Sequence, residues 1–270
     1  PATTGTQLEV YYDAKDLTTM PTIVTDLSPN SNDGTLSGDP QVSNGAFVFD
    51  GTGDYISGTL PSSVTGEWVH SMSMWFKASN YTNQLLFIGN TTEYNERISI
   101  ALNSTGEITI GISGSNVIYA SAIPLDFGWH HLTYTYAGGV AGTGATGYKL
   151  YVDGVNITQT GGVGSGTLNL ATGPNFFLGS SRNGFAPFNG SIANFRLYSK
   201  ALNAGQVQEL YDYQKDYFFG THSSVTLHKG RFGVGTKEPI KELDVVGDVG
   251  ISANLHMTTA SSVLVDSNVV

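Results

Sequence analysis

The sequence predicts an all-β, antiparallel protein, and three observations carry that prediction. Apolar residues alternate with polar ones over short segments, tight-turn pairs stand between those segments, and the composition favours strand and turn over helix. Of 270 residues, 34 are Gly, 14 Tyr and 13 Phe, and 13% are charged. Aromatic residues suit a pleated, half-buried surface, while Gly, Asn and Ser suit the turns that join one strand to the next.

Taken along the chain, Ser71-Met72-Ser73-Met74-Trp75-Phe76-Lys77 alternates strictly. Met72, Met74 and Phe76 therefore share one face, and Ser73, Trp75 and Lys77 the other. Ile98, Ile100 and Leu102 also share a face, and Asn103-Ser104-Thr105-Gly106 turns the chain back into Ile108, Ile110 and Ile112. A second hairpin is expected at Tyr148–Val152 and Val155–Ile157, because Asp153-Gly154 accepts the positive φ angles of a type I′ turn. One short helix is predicted over residues 203–213, with Asn203 as N-cap, Gln206 three residues on, and Val207, Leu210 and Tyr211 as its apolar stripe. The composition changes after this helix. The reading is a sandwich over residues 1–214, a connector over 215–229 and a separate β-rich segment over 230–270.

Charge and cysteine content exclude several function classes. The chain carries 12 Lys+Arg against 22 Asp+Glu, a net charge of −10, and its pI is near 4.8. Such a chain repels a phosphate backbone, so no nucleic-acid partner is expected. There is no cysteine, which removes disulfides and thiolate metal sites from consideration. No apolar run has the length of a membrane span, so no membrane insertion is expected. The start at Pro1, without an initiator Met, is expected of a processed or excised piece.

Several fragments in order carry a resemblance. Thr25 to Thr35, Phe47-Val48-Phe49-Asp50-Gly51 with Gly53-Asp54-Tyr55-Ile56, Met72 to Lys77, Trp129-His130-His131-Leu132, Tyr151-Val152-Asp153-Gly154 and Phe188 to Leu202 together resemble laminin-G-like, concanavalin A-like domains. The resemblance spans roughly residues 8–213 and implies a jelly-roll sandwich of two antiparallel sheets packed face to face. The segment Gly230 to Pro239, with Glu242 to Ser252, resembles repeats of phage and large-virus tail fibres and spikes, which implies a homotrimer.

Family members often hold calcium, and Asp26, Asn32 and Asp33 are the candidate oxygen ligands here. The family's aspartate after the Ile of the late Gly-x-Ile motif is replaced by Ala193, and Asp26 and Asn32 equally suit turn hydrogen bonds. Two loops mix an aromatic with planar polar groups, as sugar recognition requires. They are Glu93–Arg97, offering Tyr94, Asn95 and Arg97, and Arg182–Asn189, offering Arg182, Asn183 and Phe185. Catalysis is not expected, because the Glu-x-Asp-x-x-Glu string of the related glucanases does not occur. Gly142–Gly147 fits the dinucleotide fingerprint but links two strands with no following helix. His130 and His131 are adjacent on a strand and point to opposite faces, which argues against a shared metal. The resulting expectation is a recognition module on a viral fibre or spike, at a virion surface or extracellular, binding host-surface polysaccharide or glycan. The competing expectation is a structural spacer or decoration that binds no sugar.

Overall fold

The computed structural model describes residues 7–81, 84–89, 96–112, 116–120, 127–139, 141–142, 147–163, 165–166, 168–219, 225–228, 230–234 and 243–245. The chain divides into two compact units, Pro1–Phe218 and Phe219–Val270.

In the first unit the alternating segments pair into an eight-stranded and a nine-stranded sheet. The eight-stranded sheet is built on His70–Ala78, which pairs antiparallel with His130–Tyr136 on one side and Asn189–Tyr198 on the other. Tyr148–Val152 and Ala46–Asp50 extend it, and Leu8–Tyr12 also pairs with Asn189–Tyr198. The nine-stranded sheet has Tyr55–Thr59, Asn175–Leu178, Gln84–Gly89, Arg97–Leu102 and Ile108–Ile112 side by side, all antiparallel.

The expected faces are the observed ones. Met72, Met74 and Phe76 enter a single core with Ile98, Ile100, Leu102, Ile108 and Ile110 from the opposite sheet. Ile98 pairs with Ile112, Ile100 with Ile110 and Leu102 with Ile108, as the hairpin reading requires. Asp153 (φ 50°) and Gly154 (φ 78°) form the turn of the second hairpin. A β-bulge interrupts Asn189–Tyr198 between Ala193 and Arg196, with Asn194 at φ 51°. The extra residue keeps Ile192, Phe195 and Leu197 in the core and leaves Ala193, Arg196 and Tyr198 on the outer face.

The helix covers that outer face. Asn203 Oδ1 accepts from the Gln206 amide at 3.0 Å and Gln206 Oε1 accepts from the Asn203 amide at 3.1 Å, a reciprocal cap. Val207 and Leu210 pack against Leu8, Tyr151, Tyr198 and Leu202. The helix spans Ala204–Phe218, a turn beyond the expected end at residue 213, so residues 215–218 of the expected connector are helical. The cause is Trp75: its Nε1 donates to Gln214 Oε1 at 2.9 Å and its ring stacks on Phe218 at 4.4 Å. Among the described residues no helix is long and apolar enough to cross a membrane.

In the second unit, Val225–His228 pairs antiparallel with Arg231–Val234, which pairs parallel with Leu243–Val245.

Candidate functional site

The connection from Leu178 to Asn189 forms the centre of one end of the sandwich. Gly179 donates to the Leu85 carbonyl at 2.9 Å, and Phe188 donates to the Gly179 carbonyl at 2.7 Å, which closes the loop at its base. Phe188, fully buried, plugs that base against Phe49 at 6.3 Å. Within the loop Arg182–Gly184 makes one 3₁₀ turn, and Ser181 donates to the Phe185 carbonyl at 2.8 Å. Closing the loop over a buried plug leaves no room inside for the next aromatic, and Phe185 stands 69% exposed at the tip.

The neighbours of this loop follow from the register. Gln84 donates to the Ala186 carbonyl at 3.1 Å. Gly184, at φ 84°, lies against the ring of Tyr55, which is edge-on to Phe177 at 5.7 Å. Tyr55 brings in the turn before it, with exposed Asp50 and buried Asp54, and the neighbouring turn with exposed Asp39. Carboxylate oxygens of Asp39, Asp50 and Asp54 lie within 4.8 Å of one another. Asp54 is tied into the fold: Oδ1 accepts from the Asp39 amide at 2.8 Å and Oδ2 from the Asp50 amide at 3.0 Å. The cluster is first a device that fixes two turns, and its exposed members add hard oxygen donors to the rim. Chain spacing gives no hint of it, because Asp39 comes from a different turn.

The two loops proposed from sequence do not share a site. Arg97 pairs with Gly89 and Gly89 with Asn175, whereas the Arg182 loop leaves from Leu178, at the other end of the same strand. The five-residue step along Gln84–Gly89 separates the two ends by roughly 17 Å. Arg97 is half-buried at the far end, and Tyr94 and Asn95 lie outside the described residues. Arg182 is half-buried at the start of the 3₁₀ turn and Phe185 exposed at its end, and Asn183 contributes its backbone to that turn.

The calcium candidates form a hydrogen-bonded turn instead. Asp26, 7% exposed, accepts at Oδ1 from the Tyr11 and Ser28 amides (2.8 and 2.9 Å) and at Oδ2 from the Asn32 amide (2.8 Å) and Ser28 hydroxyl (2.6 Å). Asp33 Oδ1 accepts from the Asp26 amide at 2.8 Å, and Asn32 Nδ2 donates to the Glu9 carbonyl at 2.8 Å. Donors occupy both Asp26 oxygens, and three of them are backbone N–H groups whose positive ends point where a cation would sit. The set does not fit a calcium shell. Asp26→Ala is expected to cost about 2 kcal/mol, because it leaves buried amides unpaired. Urea unfolding measures this, with no compensation expected from added calcium.

His130 and His131 do face apart. His130 Nδ1 meets Asp153 Oδ2 at 2.9 Å, while His131 Nε2 meets Ser73 Oγ at 2.8 Å beneath the helix. The neighbouring tyrosines are structural: burial pushes the Tyr12 hydroxyl well above its ordinary range, and it donates to the Asn32 carbonyl at 2.6 Å.

With this geometry in place, a family model described as the concanavalin A-like lectin/glucanases superfamily matches residues 50–208. The chain belongs to this superfamily. No curated protein matches the superfamily member's sequence. Among solved structures it is similar to botulinum neurotoxin type C, described as dependent on two ganglioside molecules for entering cells, with TM-score 0.55 and 14% identity over 77% of this chain and 51% of that one. It is similar to Trypanosoma rangeli sialidase in complex with the inhibitor DANA, with TM-score 0.52 and 15% identity over 75% of this chain and 32% of that one. Domain 4 of the extracellular arabinanase AbnA of Geobacillus stearothermophilus, in complex with arabinotriose, gives TM-score 0.49 and 24% identity over 76% of this chain and 98% of that one. The superfamily member thus spans about half of the neurotoxin chain and a third of the sialidase chain. At these identities the likeness is one of fold.

Proposed function

We propose that the sandwich is a non-catalytic recognition module that binds surface polysaccharide or glycan through the loop end around Arg182 and Phe185. The observation that carries the reading is Phe185, whose ring is 69% exposed on a loop fixed at its base. An exposed ring held this way offers its face to the C–H side of a sugar, and Arg182, whose carbonyl accepts from the Phe185 amide at 3.2 Å, brings a side chain with planar donors for hydroxyl or carboxylate groups to the same turn. The lectin/glucanase superfamily description and the ganglioside dependence of the neurotoxin are in line with this reading. A single shallow site of this kind is weak, so presentation matters.

The reading includes presentation on a homotrimeric fibre or spike at a virion or cell surface, with residues 230–270 as the assembly segment. Its support is the resemblance of that segment to fibre repeats and the 60% exposure of Leu243, an apolar side chain open to burial by another copy. Three linked sites raise avidity by orders of magnitude over one. Light scattering on the whole chain is expected to give three times the mass of the chain lacking residues 230–270. A glycan array probed with the whole chain is expected to show a family of related hits. Uniformly blank arrays would instead favour a structural spacer.

A further inference from the structure

Beneath the helix the eight-stranded sheet buries a row of polar side chains. The register aligns Tyr151, Thr133, Ser73, Arg196 and Tyr11 across five neighbouring strands. Tyr198 stands beside Ser71 in the next row, and His131 beside Trp75 in the row before. His131, Thr133, Tyr198 and Arg196 are 0%, 0%, 1% and 4% exposed. Thr133 Oγ1, the Tyr198 hydroxyl, His131 Nδ1 and both Nε and Nη1 of Arg196 are buried without a hydrogen-bond partner in the protein.

Two properties decide what these atoms face. Every one of them is able to donate, and the Arg196 nitrogens can only donate. Arg196 is also permanently charged: Nη2 donates to Asn194 Oδ1 at 3.2 Å, the guanidinium lies over the Tyr11 ring at 4.3 Å, and the nearest carboxylate on that side, Asp13, is taken up by the Tyr11 hydroxyl, which donates to its Oδ2 at 2.8 Å. Among the described residues no carboxylate lies within ion-pair distance of it. Ala193, in the same buried layer, offers only a methyl group. Internal water could satisfy the hydroxyls and the imidazole. It supplies no charge, and a guanidinium buried without a directly paired counter-charge is costly.

We infer that the layer between the eight-stranded sheet and the helix is a binding site for a small monovalent anion of the halide class. Arg196 Nε and Nη1 are its principal donors, and the Thr133 and Tyr198 hydroxyls complete the shell. The ion is structural: it neutralises Arg196 and steadies the face on which the helix docks.

Crystals of the whole chain in sodium bromide, measured at the bromine edge, test this directly. The expected result is an anomalous peak within hydrogen-bonding distance of Arg196 Nε or Nη1; density without anomalous signal there overturns the inference. In solution the thermal midpoint is expected to be about 5 °C higher in sodium chloride than in sodium gluconate at equal ionic strength, as saturable binding to the folded state requires. Arg196→Met should erase that difference. Thr133→Val, which keeps volume and charge, should weaken the chloride response severalfold and serves if the arginine variant does not fold. A bromide peak without chloride-specific stabilisation marks an adventitious ion only and equally overturns the site.

Discussion

Trp75→Ala is expected to lower the unfolding free energy by about 3–5 kcal/mol, the range for truncating a fully buried large aromatic. Trp75 lies on the strand His70–Ala78 with its ring on the outer face, 0% exposed. It stacks on Phe218 at 4.4 Å and on Tyr211 at 5.9 Å, tilts against His131 at 5.1 Å, and donates to Gln214. Removing it empties the seat of the last two helical turns while leaving Gln214, 7% exposed, without its donor. The loss should therefore be local before it is global. Hydrogen exchange is expected to show residues 211–218 opening well below the global transition in the variant and together with the sandwich in the parent. Equal stability of variant and parent in urea would show that the helix docks without this ring.

Acid is expected to destabilise the sandwich steeply between pH 6.5 and about 4. His70 is fully buried, stacked on Trp68 at 4.8 Å and close to Tyr134 and Tyr136, with Nδ1 donating to the Trp68 carbonyl at 2.7 Å. His131 is fully buried beneath the helix. Burial pushes the two imidazoles down, to about 4 and about 3 respectively; for His131 the nearby Asp153 charge opposes the effect, and the Arg196 charge adds to it by a smaller amount. Both lie below the ordinary value of 6.5 that the unfolded chain presents. As pH falls below 6.5 the unfolded state takes up protons that the native state refuses, so stability is complete above that value and declines until the native imidazoles titrate. Each group contributes about 1.4 kcal/mol per pH unit across its window. A pH series of urea unfolding checks the slope, and His70→Phe, which keeps a ring between Trp68 and Tyr134, should roughly halve it. A flat profile from pH 7 to 4.5 would contradict the burial of both groups.

Strict alternation from Ser71 to Lys77 is enough to place Met72, Met74 and Phe76 in the core and Trp75 on the opposite face. It does not reveal that a helix covers that face. The helix is visible at its start, where Asn203 and Gln206 cap each other, and invisible at its end, because Gln214 and Phe218 are held by a residue more than a hundred positions earlier. The site shows the same division. An Arg-Asn-Gly-Phe loop is recognisable as a mixture of aromatic and planar polar groups, and its Phe185 is exposed as such a role needs. Its distance from Arg97 is a matter of strand register, which local composition does not encode. Asp26, Asn32 and Asp33 have the chemistry of calcium ligands, but which donors reach them depends on the Leu8–Tyr12 strand packed alongside.

The measurement that bears most directly on the recognition reading compares three single variants, Phe185→Ala, Arg182→Ala and Arg97→Ala, for binding to an immobilised polysaccharide hit under multivalent presentation. Phe185 is exposed and Arg182 and Arg97 are half-buried, so the thermal midpoint of each variant is measured alongside and binding is compared well below it. Phe185→Ala and Arg182→Ala are each expected to reduce binding at least tenfold while Arg97→Ala leaves it unchanged. Full binding by Phe185→Ala, together with loss in Arg97→Ala, would move recognition to the opposite end of the sandwich and contradict the proposed site.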